Sequence, residues 1–170
     1  MKAKLMIDGK EFEVEMDDNE AKAMLSLKTL CEKKKTGYER VEKGEIYYIE
    51  GDNGAIYCRE GRYADKHYED ANYYSDRTVA GNNARADKLY KQLRRFAVEH
   101  RKKEIDWDNE NMYKFFFYYI HKEDKFEVLT SYLCQDYGNI YFDTEETAQL
   151  AIDTFKDELI WYFTEYKDSL

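Results

Sequence analysis

Gly138–Tyr166 reads GNIYFDTEETAQLAIDTFKDELIWYFTEY, and each of its three parts follows from side-chain chemistry. Ile140-Tyr141-Phe142 is a β-branched and aromatic run entered through a Gly-Asn turn, as a short strand requires. Asp143 and Thr144 are both residues that cap helix N-termini, and Glu146 stands three positions after Asp143 at capping-box spacing. Ala148, Ala151, Ile152, Phe155, Leu159, Tyr162, Phe163 and Tyr166 then recur at three- and four-residue steps, which predicts the buried stripe of one long helix.

The same order occurs upstream. Asn72-Tyr73-Tyr74-Ser75-Asp76 leads into a helical pattern of Val79, Ala86, Leu89, Tyr90, Leu93, Phe96, Ala97 and His100. Gly81-Asn82-Asn83 are weak helix formers, so the firm part of that helix is expected from about Ala84. Each strand-and-helix passage follows a predicted hairpin. Glu45 to Arg59 turns at Asn53-Gly54, and Met112 to His121 with Phe126 to Cys134 flanks Lys122-Glu123-Asp124-Lys125. Asn72 corresponds to Asn139 and Tyr74 to Phe142 when one residue is inserted, which reads as an internal repeat. Residues 61–71 are polar and read as a loop, and residues 102–111 as a connector with Trp107 on the core.

A shorter version opens the chain. Lys2 to Met16 alternates about Asp8-Gly9, a strong hairpin signal that sets Leu5 and Ile7 on nearly one side with Phe12 and Val14. Asp17 or Asp18 caps a following helix with Glu20 in the box position, its stripe is Ala21, Met24, Leu25, Leu27 and Leu30, and it stops near Gly37. Lys33-Lys34-Lys35 complement the dipole at that end. The expected fold is therefore α+β: hairpin-plus-helix units, antiparallel sheets packed on amphipathic helices, at 1–37, 38–103 and 104–170.

Composition fits a packed domain. Of 170 residues, 43% are hydrophobic and 37% charged, and 17 Tyr, 9 Phe and 2 Trp exclude a disordered polar chain. No apolar run reaches bilayer length and the start does not resemble a signal peptide, so no membrane association and a cytoplasmic location are expected. There is no proline, which leaves Gly, Asn and Asp to make the turns. Cys31, Cys58 and Cys134 are too scattered for a disulfide framework or a zinc site and read as buried free thiols.

Charge is uneven beneath a total of −9. Residues 76–103 carry nine basic and three acidic side chains, whereas residues 104–170 carry five and sixteen. The basic segment offers Lys88, Lys91, Arg94, Arg95, Arg101 and Lys102 as nucleic-acid contacts, beside tyrosines that can stack. The acidic third offers Asp143, Glu145, Glu146, Asp153, Asp157 and Glu158 as a face for a basic partner. The plain alternatives are helix faces that pair with one another or with water. No catalytic constellation is visible: His67, His100 and His121 are isolated, and there is no phosphate loop or nucleophile elbow. No enzyme activity, cofactor or metal is expected.

Several stretches together, MKAKLMIDGKEFEVE, KKKTGYERVEKGEIYYI, ANYYSDRTVA, LYKQLRRFAVEH, GNIYFDTEETAQLAI and ELIWYFTEY, resemble small uncharacterised proteins carried by phages, prophages and other mobile elements of Gram-positive bacteria. The resemblance spans nearly the whole chain and carries no catalytic residues. It implies a setting, since small acidic proteins of such elements often antagonise host machinery, anti-CRISPR proteins among them. The resulting expectation is a non-enzymatic binding protein acting on a host protein or nucleoprotein such as a CRISPR nuclease, through its acidic, tyrosine-rich surface. The alternatives are a nucleic-acid-binding regulator using residues 85–103 and a phage structural or assembly protein.

Overall fold

The computed structural model describes residues 2–7, 10–15, 17–20, 22–23 and 35–166, which divide into two compact units, Met1–Thr36 and Gly37–Leu170. In the first, β1 (Lys2–Ile7) pairs antiparallel with β2 (Lys10–Glu15), Leu5 opposite Phe12 and Ile7 opposite Lys10. The Asp8-Gly9 turn and the stripe Ala21, Met24, Leu25, Leu27 and Leu30 lie outside the described residues. Residues 18–20 and 22–23 are helical, and the expected capping box is present. The Glu20 N–H donates to Asp17 Oδ1 at 2.8 Å, and the Asp17 N–H donates to Glu20 Oε2 at 3.0 Å.

The second unit is built from the repeat. β3 (Ile46–Glu50) and β4 (Ile56–Glu60) form one antiparallel hairpin, β5 (Lys114–Ile120) and β6 (Lys125–Ser131) another. To each first strand the returning chain adds one bridging residue. Tyr48 and Tyr74 exchange N–H to C=O bonds of 2.8 and 3.0 Å, and Phe115 and Phe142 do the same at 2.9 and 2.7 Å. Tyr74 and Phe142 are the two positions that the sequence aligns. After each bridge comes a cap and a helix.

α1 (Ala64–Glu69) corrects one expectation, because residues 61–71 were read as loop. Six residues are too short for a periodic signal, and α1 is held from the side. The Tyr47 hydroxyl lies 2.9 Å from His67 Nδ1, and the Tyr68 ring meets Tyr73 edge-on at 5.6 Å. α2 (Arg77–Glu99) begins at once, not near Ala84. Asp76 Oδ1 accepts the N–H groups of Thr78 and Val79 at 2.6 and 3.1 Å. The weak Gly81-Asn82-Asn83 turn is stabilised by two tertiary bonds, Asn83 Nδ2 donating to Tyr38 Oη and Asn83 Oδ1 accepting from Tyr166 Oη at 2.8 Å, and by a local one from Asn83 Nδ2 to Val79 O.

The final helix is two. α3 (Glu145–Thr154) and α4 (Lys156–Thr164) meet at Phe155, whose ψ of 18° departs from helical geometry. The Thr154 hydroxyl donates to Leu150 O at 2.6 Å, a back-bond that bends helices, while Phe155 stays packed edge-on against Phe96. The main core joins Leu89, Leu93, Phe96 and Ala97 of α2 to Phe142, Ala148, Ala151 and Leu159. β5 and β6 cover it with Phe115, Phe117, Phe126 and Val128. Tyr162, expected in the stripe, is partly exposed. The fold is α+β. Among the described residues no helix is long and apolar enough to cross a membrane.

Candidate nucleic-acid interface

α2 has more than one face, and the basic residues divide among them. Leu89, Leu93 and Phe96 point into the core. Tyr90, Arg94 and Ala97 follow one another at four and three residues and so form a neighbouring stripe, with Arg101 just beyond the end of the helix. That stripe is one wall of an open cleft of about 700 Å³. The opposite wall is the 135–141 segment, with Trp107 and Ile105 closing it. Of the six basic candidates, Arg94 and Arg101 line the cleft; Lys88, Lys91, Arg95 and Lys102 do not.

Those four are engaged elsewhere. Arg95 lies 3.7 Å from Glu99 one turn on. Lys91 opposes the burial and the Asp87 charge that together push the Glu50 carboxyl up. Lys88, after the Arg85 hydrogen bond, helps hold Glu158 low. Lys102 gives its backbone N–H to Asp143, and, after the Glu146 backbone N–H and the Thr144 hydroxyl, its charge helps hold Glu146 low. Within the cleft, the Arg94 guanidinium stands 5.9 Å from the Tyr90 ring centroid, and Arg101 reaches Glu104 at 3.4 Å. Among the described residues Arg94 has no carboxylate within ion-pair distance.

The aromatic content of the cleft differs from wall to wall. Trp107 meets Tyr141 edge-on at 4.9 Å, and Tyr141 in turn contacts Phe116. Behind them lies Lys114, wholly buried, whose ammonium donates to the carbonyls of Asn109 and Tyr132 at 2.9 and 2.7 Å and sits 5.4 Å from the Trp107 ring. That ammonium ties the connector carbonyl of Asn109 to the carbonyl just past β6. Tyr137 is the opposite case: at the tip of the loop it is 106% exposed. Gly138, at φ +87°, makes the turn that presents it. Asp136 is the cleft's one acidic side chain; its N–H donates to Tyr141 Oη at 2.9 Å, and its carboxylate receives Asn139 Nδ2 at 3.4 Å.

The acidic candidates need correction. Asp143 is 1% exposed and cannot belong to a surface face. Its Oδ2 accepts the N–H groups of Lys102 and Lys103 at 2.7 and 3.0 Å, clamping the connector after α2 to the start of α3, while Oδ1 has no partner. The cap is Thr144, which accepts from Thr147 N–H at 3.1 Å. Glu158 is committed to a bidentate pair with Arg85 at 2.8 and 3.0 Å, and Arg85 lies flat on Trp161 at 3.7 Å. Glu145, Glu146, Asp153 and Asp157 are exposed on α3 and α4. Glu146 is held below the usual carboxylate range by its own backbone N–H and the Thr144 hydroxyl. Asp153 accepts from Gln149 at 3.1 Å.

Cys58 and Cys134 are exposed, against the expectation of buried thiols: one lies on the outward side of β4, the other beyond the end of β6. Cys31 lies outside the described residues. His100 is hydrogen-bonded to Phe96 O at 3.0 Å and stacks on the Phe96 ring, a structural role. No group of three metal-ligating side chains occurs among the described residues. Tyr137 was missed by sequence reasoning; its one signal was a tyrosine set beside the Gly-Asn turn. Trp107, expected on the core, packs on the buried Tyr141 and also lines the cleft. No family model, curated protein or solved structure matches the chain.

Proposed function

We propose that this is a non-enzymatic binding protein that acts on a host nucleoprotein and engages its nucleic-acid component through the cleft between α2 and the 135–141 segment. One observation carries the reading: two guanidiniums, Arg94 and Arg101, share a concave surface with exposed tyrosines whose lining holds a single carboxylate, Asp136, with Glu104 pairing Arg101 from outside that lining. Cations track phosphate and rings accept bases, which is the pairing that nucleic-acid grooves use. The sequence resemblance to mobile-element proteins supports the setting, and an RNA-guided CRISPR nuclease is one target of this chemistry. The overall acidity is compatible with it, because local charge at the cleft, not the total, meets the strand.

The test is direct binding of labelled RNA and DNA at low salt, with the Arg94→Glu/Arg101→Glu double variant beside the wild type. Binding that weakens steeply with salt and disappears in the variant is expected. A second reading has its own observation, the exposed row Glu145, Glu146, Asp153 and Asp157. If wild type binds no nucleic acid but inhibits a nucleoprotein until Asp153 and Asp157 are made Lys, the acidic face replaces the cleft.

A further inference from the structure

We infer that the cleft selects single-stranded over double-stranded nucleic acid, with a base stacked on Tyr137 and phosphates of the same strand on Arg94 and Arg101. This rests on the reading above and names the ligand class of the same site. Shape is the first argument. A cleft of about 700 Å³ falls in the ~300–1,000 Å³ range that admits a drug-sized ligand, room for a base and its sugar-phosphate but not for a duplex.

The rings are the second. In a duplex the base faces are covered by their neighbours, so an exposed aromatic gains nothing from them; a single strand offers each face to a ring. Tyr137 projects fully into solvent from a loop whose turn is fixed by Gly138 and whose base is tied by Asp136 to Tyr141. The constrained turn sets where the ring leaves the backbone and keeps both of its faces open for stacking. Tyr90, 39% exposed on the facing wall, supplies a second ring with Arg94 beside it.

The third argument is placement. Arg94 lies within α2 and Arg101 two residues past its last residue, Glu99, and both line the same cleft, so two phosphates of one strand can be met along one groove. Past Tyr90 the surface continues into a smaller cavity of about 240 Å³ that shares Tyr90, Gly138, Asn139 and Ile140 with the first. The strand therefore has a path past Tyr90 into that second cavity.

The test is fluorescence anisotropy of the full chain with a single-stranded oligonucleotide of about 12 nucleotides, as RNA and as DNA, and with the matching duplex. The single strand is expected to bind at least tenfold more tightly. Its affinity should fall with salt at a log–log slope of about −1.4, the single-strand value for two phosphate contacts. Tyr137→Ala should weaken single-strand binding by about 5- to 100-fold and Tyr137→Phe should restore it, since the ring and not the hydroxyl stacks. Asp136→Asn should tighten it. Because Tyr137 is fully exposed, an unchanged unfolding curve confirms that Tyr137→Ala remains folded. Equal binding of strand and duplex, or an inert Tyr137→Ala, overturns this inference and leaves a nucleic-acid-binding cleft standing. Wild type that binds neither form overturns both.

Discussion

Replacing Asp143 by Ala tests whether this carboxylate is a clamp or a surface charge. Its Oδ2 accepts two backbone N–H groups, those of Lys102 and Lys103, at 2.7 and 3.0 Å. A hydrogen bond to a charged group contributes about 1.5–3 kcal/mol, so the gross loss is about 3–6 kcal/mol. Against it stands the buried Oδ1, which has no partner and whose removal recovers about 1–3 kcal/mol. The net expectation is a loss of about 2–3 kcal/mol, or roughly 4–12 °C in Tm for a chain of this size. Lys102→Ala and Lys103→Ala keep the backbone donors and should change stability by less than about 0.5 kcal/mol. Urea unfolding followed by circular dichroism measures all three. Asp143→Ala within about 0.5 kcal/mol of wild type, or Lys102→Ala as costly as Asp143→Ala, would refute the clamp.

Gly37 has φ +91°, and a Cβ built on it lies 2.6 Å from Val79 Cγ2. Gly37→Ala should therefore cost about 2–4 kcal/mol, from the left-handed backbone and the overlap together, and adding Val79→Ala should return about 1–2 kcal/mol of coupling in a double-mutant cycle. Independent additive losses would show that no overlap exists. The Arg85–Glu158 pair predicts a pH dependence. Arg85 lowers the folded Glu158 pKa, so its contribution is fully present above the unfolded carboxylate value and is lost as pH falls through the lower folded value. Both side chains are 43% exposed, which holds the contribution to about 1 kcal/mol or less. Glu158→Gln should lower stability near neutrality and match wild type in acid; an equal deficit at both pH values would place the effect in packing on Trp161.

What was legible in the sequence is what short-range geometry dictates. Two hairpins in the larger unit, the Asp17–Glu20 box, and the alignment of Tyr74 with Phe142 depend on spacings of a few residues, and each appears where residue types put it. Asp143 and Thr144 were indistinguishable as caps because both side chains can accept the N3 N–H. Only the path of the connector after α2 decides that Asp143 turns inward and leaves the cap to Thr144. Phe155 kept its place in the helical stripe, so periodicity carried no sign of the break that Thr154 introduces. The candidate site was half legible for the same reason. Arg94 and Arg101 were recognised as basic, but counting charge along α2 could not separate them from Lys88, Lys91 and Arg95. That separation needs the facing wall, which arrives more than thirty residues later in the chain.

The 23 residues of α2 belong to both copies of the repeat. Ala80 and Ala84 are buried in its first half and the helix contacts both β3 and β4, while Leu89, Leu93 and Phe96 are in the core shared with α3 and α4. Neither hairpin can shed its helix without stripping the other's, so Gly37–Leu170 should melt in a single cooperative transition. A ligand that binds only the folded form stabilises the whole of such a body by mass action. Occupancy at Arg94 is then felt by amides of the β3–β4 hairpin, and hydrogen exchange there reports a strand it never touches.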